Sequence, residues 1–298
     1  MTRWPVLLAL VLVSSCRSFI DNQAASSTYR ILEKSFAASR RQGDLELARA
    51  SLPGGVVQLE AFALAYPDHP EFRRLYAESL CEYTVAFVFD DWEDAQLGNR
   101  SDEQARLAAR LATLLPQCTD ANLATLPPAW RAAYVRGGDA WTTTIANATD
   151  ADAPALLWLA TADSVSLALD PLHNLGKLGG IMAALERSAK LAPGAHDADA
   201  EILLGTLTAA RARFIPGSDG AELFQRARKL EGDGLLMIDV MFARGTAVAR
   251  GDRTLFETTL RRVLDADLTR WPDRRLSNEL ARIKARRYLA AVNQLLPN

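Results

Sequence analysis

The chain has 298 residues, 49% of them hydrophobic and 23% charged, with 34 Lys and Arg against 36 Asp and Glu and a formal charge of −2. That balance excludes a disordered polyampholyte and supplies enough apolar side chains for a sizeable core. It also argues against a nucleic-acid partner, because no positive excess is available to neutralise phosphates.

At the start of the chain, Arg3 precedes a nearly unbroken apolar run from Val6 to Val13. The run is well short of the roughly 20 residues a transmembrane helix needs, and its layout is that of a signal peptide. Ser14 and Ser15 lead to Cys16, and Val13-Ser14-Ser15-Cys16 resembles the lipobox of bacterial lipoproteins. The pattern predicts a signal peptide over 1–15, lipid attachment at Cys16, a lipidated tether over 16–27 and a helical domain over 28–298. One acyl chain gives marginal membrane affinity, at about 0.8 kcal/mol per buried methylene, whereas two or three anchor a protein durably. Arg17, rather than Asp, follows the cysteine; by resemblance to Gram-negative sorting this favours the periplasmic side of the outer membrane over the inner one.

Beyond the tether, apolar residues recur at helical spacing and no period-two alternation is sustained, which predicts an all-α fold. Leu178, Ile181, Met182, Leu185 and Ala189 form one stripe, and Leu203, Leu207, Ala210 and Phe214 a second. Leu223, Phe224, Ala227 and Leu230 form another, followed by stripes through Ile238 and Phe242 and through Phe256 and Val263. Asp68-x-x-Glu71, Ser101-x-x-Gln104 and Asp219-x-x-Glu222 match capping boxes, while Pro67, Pro193 and "EGDG" at 231–234 mark stops. The acidic "DDWED" at 90–94 is expected to end an aromatic helix, and residues 119–155 read as loop-rich. "RIKARRY" at 282–288 reads as the solvated face of an amphipathic helix.

"LEAFALAYP" at 59–67 and "LERSAKLAP" at 185–193 share Leu, Glu, Ala and Pro in register, and "LFQRARKLE" at 223–231 is a weaker copy. Each precedes another striped helix, so the pattern resembles tetratricopeptide (TPR-like) units: antiparallel helix pairs stacked into one curved domain. A generic helical bundle is the alternative.

Chemistry is sparse. His69, His173 and His196 each sit beside a turn, as exposed loop histidines would, and none has metal-ligand spacing from another His or a Cys. No P-loop, HExxH, GxSxG or dinucleotide fingerprint occurs, and "GKLGG" at 176–180 reads as a turn. Neither an enzyme nor a cofactor or metal is therefore expected. Cys81 and Cys118 lie equidistant from the Asn99–Arg100 boundary, where an antiparallel hairpin would bring them level, either bridged or as two buried thiols. Among the aromatic residues, Tyr83, Phe87, Trp92, Trp141 and Trp158 are the candidates to line an apolar ligand cleft, against a purely structural role in the core.

Taken in order, 46–90, 214–230, 250–267 and 276–292 resemble blocks of the T component (TatT) associated with TRAP (tripartite ATP-independent periplasmic) transporters. The resemblance implies an α-helical lipoprotein working beside the periplasmic solute-binding (P) subunit and holding a small or apolar ligand; it also implies a homo-oligomer, with a trimer favoured. The competing expectation is a TPR-like outer-membrane scaffold for envelope assembly. An internal apolar passage open at both ends would favour the first and an open groove with a polar rim the second.

Overall fold

The computed structural model describes residues 23–297 apart from 213 and 216. The expected signal peptide and Cys16 lie outside the described residues. The expected tether lies outside them up to residue 22. Its last part, 23–27, is already helical, and Ala25 is fully buried.

The first helix, α1, covers 23–40. Next come α2 (Leu45–Ala65) and α3 (Pro70–Tyr83), a π-helical turn over Thr84–Phe89, α4 (Asp90–Leu97) and α5 (Ser101–Leu123). The middle of the chain forms α6 (Pro128–Arg136), α7 (Gly138–Ala146), α8 (Ala153–Leu169) and the single turn α9 (Pro171–Asn174). It continues with α10 (Leu178–Leu191), α11 (Ala195–Ala212), α12 (Ala221–Glu231) and α13 (Met237–Phe242). A second π turn over Ala243–Ala247 precedes α14 (Arg253–Asp265), α15 (Arg275–Ala290) and α16 (Val292–Leu295). The fold is all-α.

Local chemistry sets several helix ends. The Asp44 side chain accepts from the N–H groups of Glu46 and Leu47 at the start of α2, and Asp252 accepts from Leu255 N–H at the start of α14. Each satisfies donors that the first helical turn leaves unpaired. Pro70 and Pro128 open α3 and α6, where a missing N–H costs nothing. The predicted capping boxes are not what forms: α3, α5 and α12 begin after His69, Arg100 and Gly220, without side-chain caps. Asp219 instead accepts from Ala221 N–H and pairs with Arg250.

Residues 119–155 are mostly helical rather than loop-rich. α5 runs through Pro116 to Leu123, although a proline removes one ladder hydrogen bond. Leu111, Leu115, Cys118 and Leu123 are buried along it, and Cys118 is bonded to Cys81 of α3 with Cα atoms 5.2 Å apart. Tertiary attachment on both sides of the proline holds the helix together. Gly137 and Gly138, both at positive φ, make the sharp break between α6 and α7, which bury Trp130, Trp141 and Ile145.

Helix α8 is the axis of the packing. Eleven of its residues, from Ala153 to Val165, are buried, so it is apolar on nearly every face, as expected of a helix surrounded by others. It packs on α10, α5, α3 and α11, while α2 packs on α3, α11 on α12 and α14 on α15. The chain then curves back on itself. Ala48 of α2, Phe87 of the first π turn and Leu276 of α15 share one buried cluster.

Candidate functional site

Where the first and last helices meet around α8 and α11, they leave a cavity of about 620 Å³, within the range of small-molecule sites. Its walls are mainly apolar. Phe36 of α1, Leu52 and Val56 of α2 and Phe87 of the first π turn face Trp158 and Val165 of α8. Ile202, Leu203 and Leu207 of α11, Met241 of α13 and Leu280 of α15 complete the lining.

Both π turns border this space, through Val85, Ala86, Phe87 and Phe89 in one and Arg244 and Gly245 in the other. A π turn carries an extra residue, which widens the helix and redirects its side chains; such turns concentrate at functional sites. Buried Thr84 donates to Leu80 O at 2.7 Å, giving that carbonyl a partner as the helix widens.

The cavity sorts the aromatic candidates. Tyr83, Phe87 and Trp158 line it. Trp92 and Trp141 do not. Trp92 stacks on Phe89 at 5.5 Å within the α3–α5–α8 core, and Trp141 sits edge-on to Trp130 and Tyr134 beneath α10. An approach of 2.8 Å between Trp141 and the position of a Cβ on Gly180 explains the glycine there: the indole takes up the space a side chain would need.

Two charged groups lie at the cavity wall. The first joins the chain ends. Arg287 donates to both carboxylate oxygens of Asp90, at 2.9 and 2.8 Å, and pairs with Asp94 at 2.8 Å. Lys284 bridges Asp90 at 2.5 Å and Glu93 at 3.0 Å, and Tyr288 Oη donates to Glu93 at 2.8 Å. Burial by itself would raise the Asp90 carboxyl, but Lys284 and Arg287 outweigh it and hold the group below its usual range. The balance at Glu93 is the same, with Lys284 and Arg244 as the counter-charges. Thus "DDWED" begins α4 rather than ending a helix. The 282–288 segment is also not wholly solvated: the Arg287 side chain is 8% exposed and that of Lys284 16%.

The second group was not foreseen. His196, Asp197 and Ala198 at the start of α11 have φ of 51, 57 and 56°, a left-handed turn built without glycine. Such backbone costs roughly 1–2 kcal/mol per residue, and strain of this kind persists where surrounding contacts over-determine it. His196 pairs with Glu78 at 3.1 Å beside this turn. His196 is therefore not the exposed loop histidine expected. Burial would lower its pKa, but Glu78 outweighs that and raises it. His69 is likewise half-buried and paired with Glu71, whereas His173 is exposed.

The turn brings Asp197 and Asp199 to the same wall as Glu78 and Glu82 of α3. Burial, then the neighbouring Asp197, pushes the Asp199 carboxyl up to about 8. Glu82 is raised by burial and by Glu78. No motif marks these residues; the repeated acid in "HDADAE" was the one available hint.

No described helix is long and apolar enough to cross a membrane. A family model described as TRAP transporter T-component matches residues 41–296. No curated protein matches the chain.

Proposed function

The chain belongs to the TRAP transporter T-component family, and from that premise we propose that it is an accessory subunit that docks a periplasmic solute-binding protein and holds a small apolar ligand. The observation that carries the ligand reading is the cavity itself. It is bounded by eight helices and two π turns among the described residues, drawn from both ends of the chain, and apolar side chains make up most of its wall. A scaffold for envelope assembly would need an open groove with a polar rim instead.

The role is one of binding rather than catalysis. Asp90 and Glu93 are engaged by Lys284, Arg287 and Tyr288, an arrangement that fastens α4 to α15. Lipidation at Cys16 would fix the body to the periplasmic face of the outer membrane, and a homotrimer is the assembly in keeping with the family. Contact with the solute-binding protein should be of standard size, about 1,200–2,000 Å², and partly polar, since both partners must also exist free.

Co-expression with a TRAP solute-binding protein, followed by sedimentation and native mass spectrometry, tests this reading. The expected result is a complex at tens of micromolar and a co-purifying small molecule lost on denaturation. Absence of both would sink it.

A further inference from the structure

Charge is distributed unevenly around the cavity. Near α15, Asp90, Glu93 and Asp94 are matched by Lys284, Arg287 and Arg244. At the left-handed turn the matching fails. Glu78 is satisfied by His196, which leaves Glu82, Asp197 and Asp199 facing Arg40 of α1 as the one remaining cation there among the described residues.

Glu82 and Asp199 are the central pair. Both line the cavity, and neither makes a hydrogen bond or ion pair among the described residues. Carboxyls on a mainly apolar wall are normally paired, so two without a partner there point to a missing counter-group. Trp158 shares this wall, its ring edge-on to His196 at 6.0 Å, and an indole is the best aromatic face for a cation. No group of described residues is placed to hold a metal ion, which directs the reading to an organic cation.

We propose that the Glu82–Asp199 wall is a head-group subsite for a protonated amine, and that the cavity therefore takes cationic amphiphiles: an ammonium at the acidic turn and an apolar body between the π turns. This rests on the reading of the cavity as a ligand site. An ammonium can donate up to three hydrogen bonds, and Glu82, Asp197 and Asp199 offer acceptors on one wall. Without a ligand the Asp199 carboxyl, pushed up to about 8, keeps its proton near neutral pH; an arriving ammonium favours its ionised form, so binding releases a proton and strengthens as pH rises toward 8. Glu78 pairs with His196 and favours its protonated form, while Arg40 opposes the amine.

The test is calorimetric titration of the full-length chain with three probes of equal tail length: octylammonium, octanol and octanoate. The expected result is that octylammonium binds at least tenfold more tightly than octanol, and octanoate more weakly than either. The Glu82→Gln/Asp199→Asn double variant should bring octylammonium down to the affinity of octanol, with an unchanged far-ultraviolet circular dichroism spectrum reporting that the variant is folded. Equal binding of all three probes, or a preference for octanoate, would overturn the amine subsite while leaving the apolar site standing. Binding of none would overturn both.

Discussion

Replacing Arg287 by Met tests whether the α4–α15 ion cluster fastens the chain into its closed curve. The guanidinium is 8% exposed and faces a carboxylate that is 4% exposed. Its removal deletes two bonds to the Asp90 carboxylate, a 3.0 Å bond to Asp90 O and the pair with Asp94. Breaking a buried pair costs about 3–5 kcal/mol when the partner is left uncompensated. Here Lys284 still reaches Asp90 at 2.5 Å, so the cost belongs at the lower end, about 3 kcal/mol or roughly a hundredfold in the unfolding constant.

Urea denaturation followed by far-ultraviolet circular dichroism at pH 7 reads this directly. The pH dependence adds a second check. Asp90 and Glu93 have folded pKa values below their unfolded ones, so their stabilisation is present above the usual carboxylate pKa and is lost as pH falls through the folded values. The gap between wild type and variant should therefore narrow in acid. Substituting Asp90→Leu together with Arg287→Met should cost less than Arg287→Met alone, because no buried charge is then stranded. A loss under about 1 kcal/mol that also stays constant from pH 7 to pH 3 would refute the assignment.

Other consequences are open to measurement. Alkylation of the unreduced, denatured protein should label neither Cys81 nor Cys118, and reduction should cost about 4 kcal/mol for a bridge spanning 37 residues; two free thiols would contradict it. Asp199 has a folded pKa of about 8 against an ordinary 3.8, so its contribution is fully present below pH 4 and is lost as pH rises through 8. Asp199→Asn should match wild type near pH 4 and gain stability over it toward pH 8 in thermal melts, and a pH-independent difference would rule this out. Cys16→Ser should abolish incorporation of labelled fatty acid and leave precursor or misplaced protein; unchanged membrane fractionation, together with an unlabelled wild type, would remove the anchor.

Much of the secondary structure was legible because a helix is written locally. Apolar residues three and four apart made α10, α12 and α14 visible, and Pro67, Pro193 and "EGDG" stand just beyond the ends of α2, α10 and α12. Ordered blocks along the chain also sufficed to point to the family whose model matches 41–296. Local reading failed where distant segments supply the stabilisation. Pro116 and the Gly137–Gly138 pair signal breaks, yet burial of Leu115, Cys118, Trp130 and Trp141 makes the flanking segments helical. Phe214, placed in a helical stripe by its spacing, lies beyond the end of α11 and is 85% exposed.

The site depended on tertiary structure more heavily still. Trp92, Trp141 and Trp158 are chemically the same residue, and which of them borders the cavity depends on what packs against each helix face. Arg287 carries the pattern of a solvated helix residue; it is buried because Asp90, 197 positions away, returns to meet it. Glu82 and Asp199 look like ordinary surface acids until α3 and the left-handed turn of α11 place them on one wall. The sequence by itself determined the helices and the family, since both are carried by residues near one another in order along the chain. The cavity and its uncompensated charge were decided by the closing of the curve, because Coulomb forces and excluded volume act on distance in space, and helical periodicity contains no record of that distance.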